Sequence, residues 1–189
     1  FRDYRGGGRS SGRETAARVA AGAIAQQMLI QGMAKYYPSL PEPQVIAYTT
    51  EAAGIESETR DFSVIEKNSL RCPDMKAAKK MEAKIAEYRK EGNSCGGIVE
   101  CQALHFPTGL GEPVFDKLDA LLAHAMLSIG AVKGIEFGAG FQSADMTGST
   151  WNDTMNTESD LYFASNNCGG ILGGISNGSP IVFRVGIKP

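Results

Sequence analysis

A glycine-rich, arginine-flanked segment runs directly into an alanine-rich stretch, and this junction constrains the chain most. Residues 5–14 read Arg-Gly-Gly-Gly-Arg-Ser-Ser-Gly-Arg-Glu, and residues 15–33 are rich in Ala, with Val19, Ile24, Met28 and Leu29 added. Three glycines let a backbone turn sharply and come close to a ligand with no Cβ in the way. Ser11, with Glu14 three residues on, has the spacing of a capping box, so a helix is predicted from there. Beyond its first turn that helix reads as buried, because it carries no broad polar face. A helix start offers N–H groups and the positive end of a dipole. Arg9 and Arg13 can fork onto anionic oxygens, and Ser10 and Ser11 add hydroxyls. The segment therefore reads as an anion cradle, with a solvated arginine loop as the alternative. It is not a P-loop, because no Gly-Lys-Ser/Thr follows.

The rest of the chain alternates between elements. Pro41 and Pro43 stop the first helix, and residues 45–50 read as a strand. A second helix is predicted over 74–91, capped by Asp74 and stopped by Gly92. Residues 98–106 read as a strand, and 113–129 as a third helix with Pro113 in its first turn. Residues 135–137 and 181–187 read as strands, and 138–165 as a long polar loop of the kind that often carries function. This order predicts an α+β fold with antiparallel sheet. The stretch Asn93-Ser-Cys-Gly-Gly-Ile-Val returns as Asn166-Asn-Cys-Gly-Gly-Ile-Leu, an echo that a duplicated unit would explain.

Two further glycine-rich blocks stand out. Residues 128–141 read Ser-Ile-Gly-Ala-Val-Lys-Gly-Ile-Glu-Phe-Gly-Ala-Gly-Phe. Gly130 suits a helix C-cap, and Lys133 and Glu136 read as ligands or a solvated pair. Residues 166–178 hold two diglycines, Gly169-Gly170 and Gly173-Gly174, which bring backbone close to a flat cofactor or to a packed strand. His124 reads as a core or interface residue on the third helix. Cys95 and Cys168 read as packing residues, since neither has a neighbouring His.

Composition excludes several classes. Net charge is −2, and Phe1 and Tyr4 are the only aromatics near the arginines, so no nucleic-acid partner is expected. No apolar run reaches the roughly 18 residues of a membrane span. The four cysteines show no C-x-x-C pair, so neither a metal site nor a disulfide framework is expected, and the chain reads as reduced and cytosolic. It begins without Met and reads as cut at both ends.

The three blocks, RDYRGGGRSSGRETAARVAAGAIA, SIGAVKGIEFGAGF and NNCGGILGGISNG followed by a final KP, resemble the central motifs of chorismate synthase, in that family's order. The resemblance implies one domain over 1–189, truncated, with helices between antiparallel sheets. It implies a lyase that removes phosphate and a proton, in a 1,4 sense, from 5-enolpyruvylshikimate 3-phosphate to give chorismate. Reduced FMN is required, and NADPH serves as flavin reductant in some members. A homotetramer is the usual assembly. Carried over by motif, Arg9, Ser10, Ser11, Gly130, Ala131, Gly173 and Lys188 contact flavin, and Arg13 binds the anionic substrate. Gly130 departs from the family's Asn. The resemblance supplies no catalytic residue within this chain, because the proton-handling His and Asp groups belong to parts it lacks. The 189-residue piece alone is expected not to turn over; a non-catalytic assembly module is the alternative.

Overall fold

The computed structural model describes residues 4–8, 11–156 and 163–189. Its centre is an antiparallel five-stranded sheet in the order β2-β1-β3-β7-β4. The strands are β1 (Gln44–Ala52), β2 (Ile55–Glu56), β3 (Gly97–Leu104), β4 (Val132–Phe137) and β7 (Ile181–Ile187). A two-stranded hairpin, β5 (Ile171–Leu172) with β6 (Ile175–Ser176), stands beside it. The α+β class and the antiparallel pairing are as the sequence predicts.

Strand alternation decides the faces. On β7, Ile181, Phe183 and Val185 are buried. They pair across with Ala103, Cys101 and Val99 of β3, so all six side chains share one face. Helix α3 (Leu118–Leu127) covers that face through Leu118, Leu122 and Met126, and Ile171 of the hairpin closes the cluster. The opposite face is polar. The Arg184 guanidinium pairs with the Glu136 carboxylate at 3.0 Å. Two strands away, the buried Tyr48 hydroxyl donates to Glu100 and accepts from Gln102. Burial, with the Glu100 carboxylate beside it, pushes the Tyr48 phenol far above its ordinary range.

A second, smaller core joins α2 (Met75–Lys90) to the β1–β2 edge through Ala52, Cys72, Ala77, Ala78 and Met81. Asp74 caps α2 by accepting from the N–H groups of Lys76 and Ala77, and Gly92 ends it at φ +68°, both as predicted.

Four expectations change. Helix α3 starts at Leu118, not at Pro113. The Glu112 N–H closes a turn onto Asp116 O, and the Leu118 N–H is taken by Gly174 O, so residues 112–117 form a loop. His124 is exposed rather than in the core, because Leu118, Leu122 and Met126 take the face toward the sheet. Helix α1 (Thr15–Tyr36) is almost wholly exposed, with Met33 its buried residue. Val19, Ile24 and Met28 are 73%, 64% and 68% exposed. Its apolar character is as predicted, but the described residues do not supply the surfaces to cover it. The sequence echo is not repeated in the backbone: Gly169 and Gly170 have positive φ, whereas Gly96 and Gly97 do not.

Candidate functional site

The start of α1 is built by short-range bonds. Ser11 caps a 3-10 turn, Gly12–Glu14, and its Oγ accepts from the Arg13 N–H. The Ser11 N–H itself goes to Gly8 O, and Glu14 pairs with Arg18 at 3.2 Å. The reciprocal capping box is therefore not formed, because the Glu14 carboxylate has a better partner in a cation four residues on. The N–H groups of Ser11, Arg13, Glu14 and Thr15 are all engaged within the chain. The Arg13 guanidinium is braced by Gly6 O at 3.0 Å and Ser11 Oγ at 3.3 Å. That commits two of its five N–H donors and leaves a fork for an outside anion. Arg9 and Ser10 lie outside the described residues.

Arg18 then links this segment to the second block. Its guanidinium donates to Ser128 Oγ at 2.9 Å and Ser128 O at 3.1 Å, at the carboxyl end of α3. Gly130 and Ala131 follow at once. Ala131, not Gly130, takes the left-handed turn, at φ +71°. A Cβ on Gly130 would meet nothing within 4 Å, so the Asn of the family has room there. The Lys188 N–H donates to Ala131 O at 3.0 Å, which brings the end of β7 onto the same junction. Ser11, Arg13, Gly130, Ala131 and Lys188 are thus tied to one end of α3.

Gly173 lies at the other end. It sits with Gly174 in the β5–β6 turn, at φ +64° and +87°, and Gly174 O accepts the first N–H of α3. Ten residues of α3 span about 15 Å. A ligand touching both ends must span that helix, or the groups come from two copies of the chain. A Cβ on Gly173 would meet no atom within 4 Å, whereas one on Gly174 would strike Lys117 at 2.4 Å. The first glycine faces open space, as a contact with a flat ring requires, and the second is a packing glycine.

Of the remaining candidates, Lys133 is exposed. Glu136 is no solvated partner for it, since Arg184 and the Phe141 N–H hold both its oxygens. Burial, with Asp153 beside it, pushes the Cys168 thiol up to about 11, which keeps it protonated and suits packing rather than attack. Among the described residues no cluster of His, Cys, Asp or Glu could hold a metal ion, and no helix is long and apolar enough to cross a membrane. Sequence reading passed over Arg18 and Asp153. The i, i+4 spacing of Glu14 and Arg18 is a visible signal; that of Asp153 with Asn167 is not.

These features define an α+β protein with a braced arginine at the start of its first helix and an exposed glycine turn at Gly173. The chain belongs to the chorismate synthase family, whose sequence profile matches residues 1–189. It is 52% identical over 189 residues to the chorismate synthase of Desulfatibacillum aliphaticivorans, covering all of this chain and 49% of that protein. Identity to the chorismate synthase of Syntrophobacter fumaroxidans is also 52%, covering all of this chain and 50% of that one. A solved structure described as a crystal structure of chorismate synthase superimposes with a TM-score of 0.83 at 34% identity, covering 96% of this chain and 57% of the other. The chain spans about half the length of the curated relatives it matches.

Proposed function

We propose that this chain forms part of a lyase that converts 5-enolpyruvylshikimate 3-phosphate to chorismate with reduced FMN. In that reaction the C–O bond to phosphate and a C–H bond break, a double bond forms, and phosphate and a proton leave. The observation that carries the reading is the convergence of the α1 start, the Gly130–Ala131 junction and Lys188, through the Arg18–Ser128 and Lys188–Ala131 bonds. The residues fit a flavin nucleotide: exposed arginine side chains suit its phosphate, and the bare turn at Gly173 suits the face of a planar ring. Bound reduced flavin supplies electron density and takes it back without being consumed. Arg13 holds the anionic substrate through its outer N–H groups, oriented by Gly6 O and Ser11 Oγ. Arg9, Ser10 and Ser11 hold the flavin at the same loop, and Lys188 adds a cation at the Ala131 junction.

The same reading takes NADPH as a flavin reductant, a homotetramer as the assembly and the cytoplasm as the location. It takes a small phosphorylated anion, not nucleic acid, as the ligand. The isolated chain is inactive on this account, because missing acid and base groups typically cost about 10²–10⁴ each in rate. The test is a chorismate-formation assay with reduced FMN, run on the isolated chain and on a form extended to its relatives' length. Activity in the extended form and none in the isolated chain supports the reading; no activity in the extended form refutes it. The uncovered apolar side chains of α1 favour a second reading, an assembly module. A stable oligomer of the isolated chain without flavin affinity would support that one.

A further inference from the structure

We propose that Asp153 is the positioning residue for the Gly173 turn, holding the hairpin that carries it through a carboxylate clasp on Asn167 and Cys168. The proposal rests on the flavin reading above. Asp153 lies two residues beyond α4 (Gly148–Trp151), in the long loop. Its Oδ1 accepts the Ser165 hydroxyl at 2.6 Å and the Asn167 N–H at 2.7 Å, and its Oδ2 accepts the Cys168 N–H at 2.9 Å. Two consecutive backbone N–H groups on the two oxygens of one carboxylate fix the orientation of the peptide between them. The clasp also runs the other way, because the Asn167 side chain donates to Thr150 O and Trp151 O, each at 3.1 Å.

The held segment leads directly into the hairpin. Asn166 accepts the Gly170 N–H at 2.7 Å and donates to Pro180 O at 2.8 Å. The Asn177 N–H bonds Gly170 O at 3.0 Å and closes the root. From Gly170 to Gly173 the chain advances about 10 Å at the usual rise of a strand. The turn is held at its far end by the Leu118 N–H on Gly174 O, so the root clasp and that bond together set where Gly173 sits.

Every group facing the carboxylate is a donor, so the clasp needs a residue with acceptors on both oxygens. An amide cannot replace it, because its NH2 would face an N–H or O–H. Ionised acceptors also make the stronger bonds. The carboxylate is therefore specified by what surrounds it, and a half-buried acid serves here without touching flavin or substrate.

The experiment compares wild type, Asp153→Asn and Ser165→Ala in a form extended to the relatives' length. It reads amide hydrogen exchange at Asn167, Cys168 and Gly170, the Kd for reduced FMN, and kcat at saturating flavin. If the clasp holds the binding-competent hairpin and its loss cuts that population to about a tenth, D153N raises Kd about tenfold. Exchange at the three amides rises in step, and kcat at saturating flavin stays near wild type. S165A, which removes one bond of three, shifts exchange and Kd together by a smaller factor, and it carries the test if D153N does not fold. Faster exchange with an unchanged Kd in either variant overturns the proposal, as does a fall in kcat with Kd unchanged. A wild type that binds no flavin overturns the flavin reading, and the proposal with it. A wild type that binds flavin, beside variants that bind it equally well, overturns the proposal alone.

Discussion

Two glycine-to-alanine changes separate a packing glycine from a ligand-facing one. At Gly138, φ is +54°, and an added Cβ would lie 2.1 Å from Asn167 O and 2.4 Å from Gly169 N. Both are backbone atoms fixed by other bonds: Asn167 O accepts from the Ala139 N–H, and the Gly169 N–H donates to Asn166 O. Something must shift, and overpacking of this kind costs about 1–3 kcal/mol. The left-handed backbone adds roughly 1–2 kcal/mol for an L-residue. Reduced freedom of the unfolded chain offsets about 0.4–1 kcal/mol. Gly138→Ala should therefore destabilise by about 1–4.5 kcal/mol. At Gly173, φ is +64° but nothing lies within 4 Å. Gly173→Ala bears the backbone cost alone, about 0–1.6 kcal/mol after the same offset. The assay is urea unfolding of both variants in one background, with the midpoint compared at constant slope. Flavin titration follows: Gly173→Ala should weaken FMN binding by more than its stability loss accounts for. The reasoning fails if Gly138→Ala unfolds within 1 kcal/mol of wild type, or if the two variants are equally destabilised.

Gly130→Asn should fold normally, since its Cβ position is open, and should tighten FMN binding by restoring the family's side chain; a fluorescence titration checks it. Arg13→Ala should raise the Km for the phosphorylated substrate with little change in stability, because Arg13 is exposed and its bonds to Gly6 and Ser11 lie within its own loop; steady-state kinetics and a melting curve check both. Acid should destabilise the chain. The Ala77 N–H, with those of Glu58 and Lys76, holds the Asp74 carboxyl below its usual range. Burial works against the charge of Asp153, but bonds from Cys168, Ser165 and Asn167 outweigh it and hold that carboxyl low too. Groups depressed in the folded state stabilise above their unfolded pKa of about 4 and lose that contribution as pH falls through the folded value. The urea midpoint should therefore drop between about pH 5 and pH 2, less steeply in a D74N/D153N double variant. The isolated chain should also self-associate through α1, and Ile24→Glu with Met28→Glu should reduce this in light scattering.

Much of the fold was legible because local signals and tertiary needs agreed. Asp74 and Gly92 mark the ends of α2 with the residues those positions favour. The alternation of residues 181–187 matches the buried and half-buried positions of β7. Signals failed where long-range bonds decided. Pro113 looks like a first-turn residue, yet Gly174 O, far along the chain, takes the Leu118 N–H and starts α3 there. Gly130 looks like a left-handed cap, yet Ala131 adopts that conformation while its carbonyl accepts from Lys188. In the candidate site, the turn into α1 and its Ser11 cap were legible. That its helix-start N–H groups are already used was not, because the preference for a 3-10 entry over an open first turn is set by Gly8 O and Arg18. Asp153 gave no signal, since its partners lie twelve to fifteen residues on in an irregular loop.

One measurement reaches the shared site most directly: hydrogen exchange by mass spectrometry on the extended form, with and without reduced FMN. Peptides covering residues 11–18, 128–133 and 171–176 should gain protection together as flavin saturates. Protection confined to one of these segments, or falling on α2 instead, would contradict a flavin site built from all three.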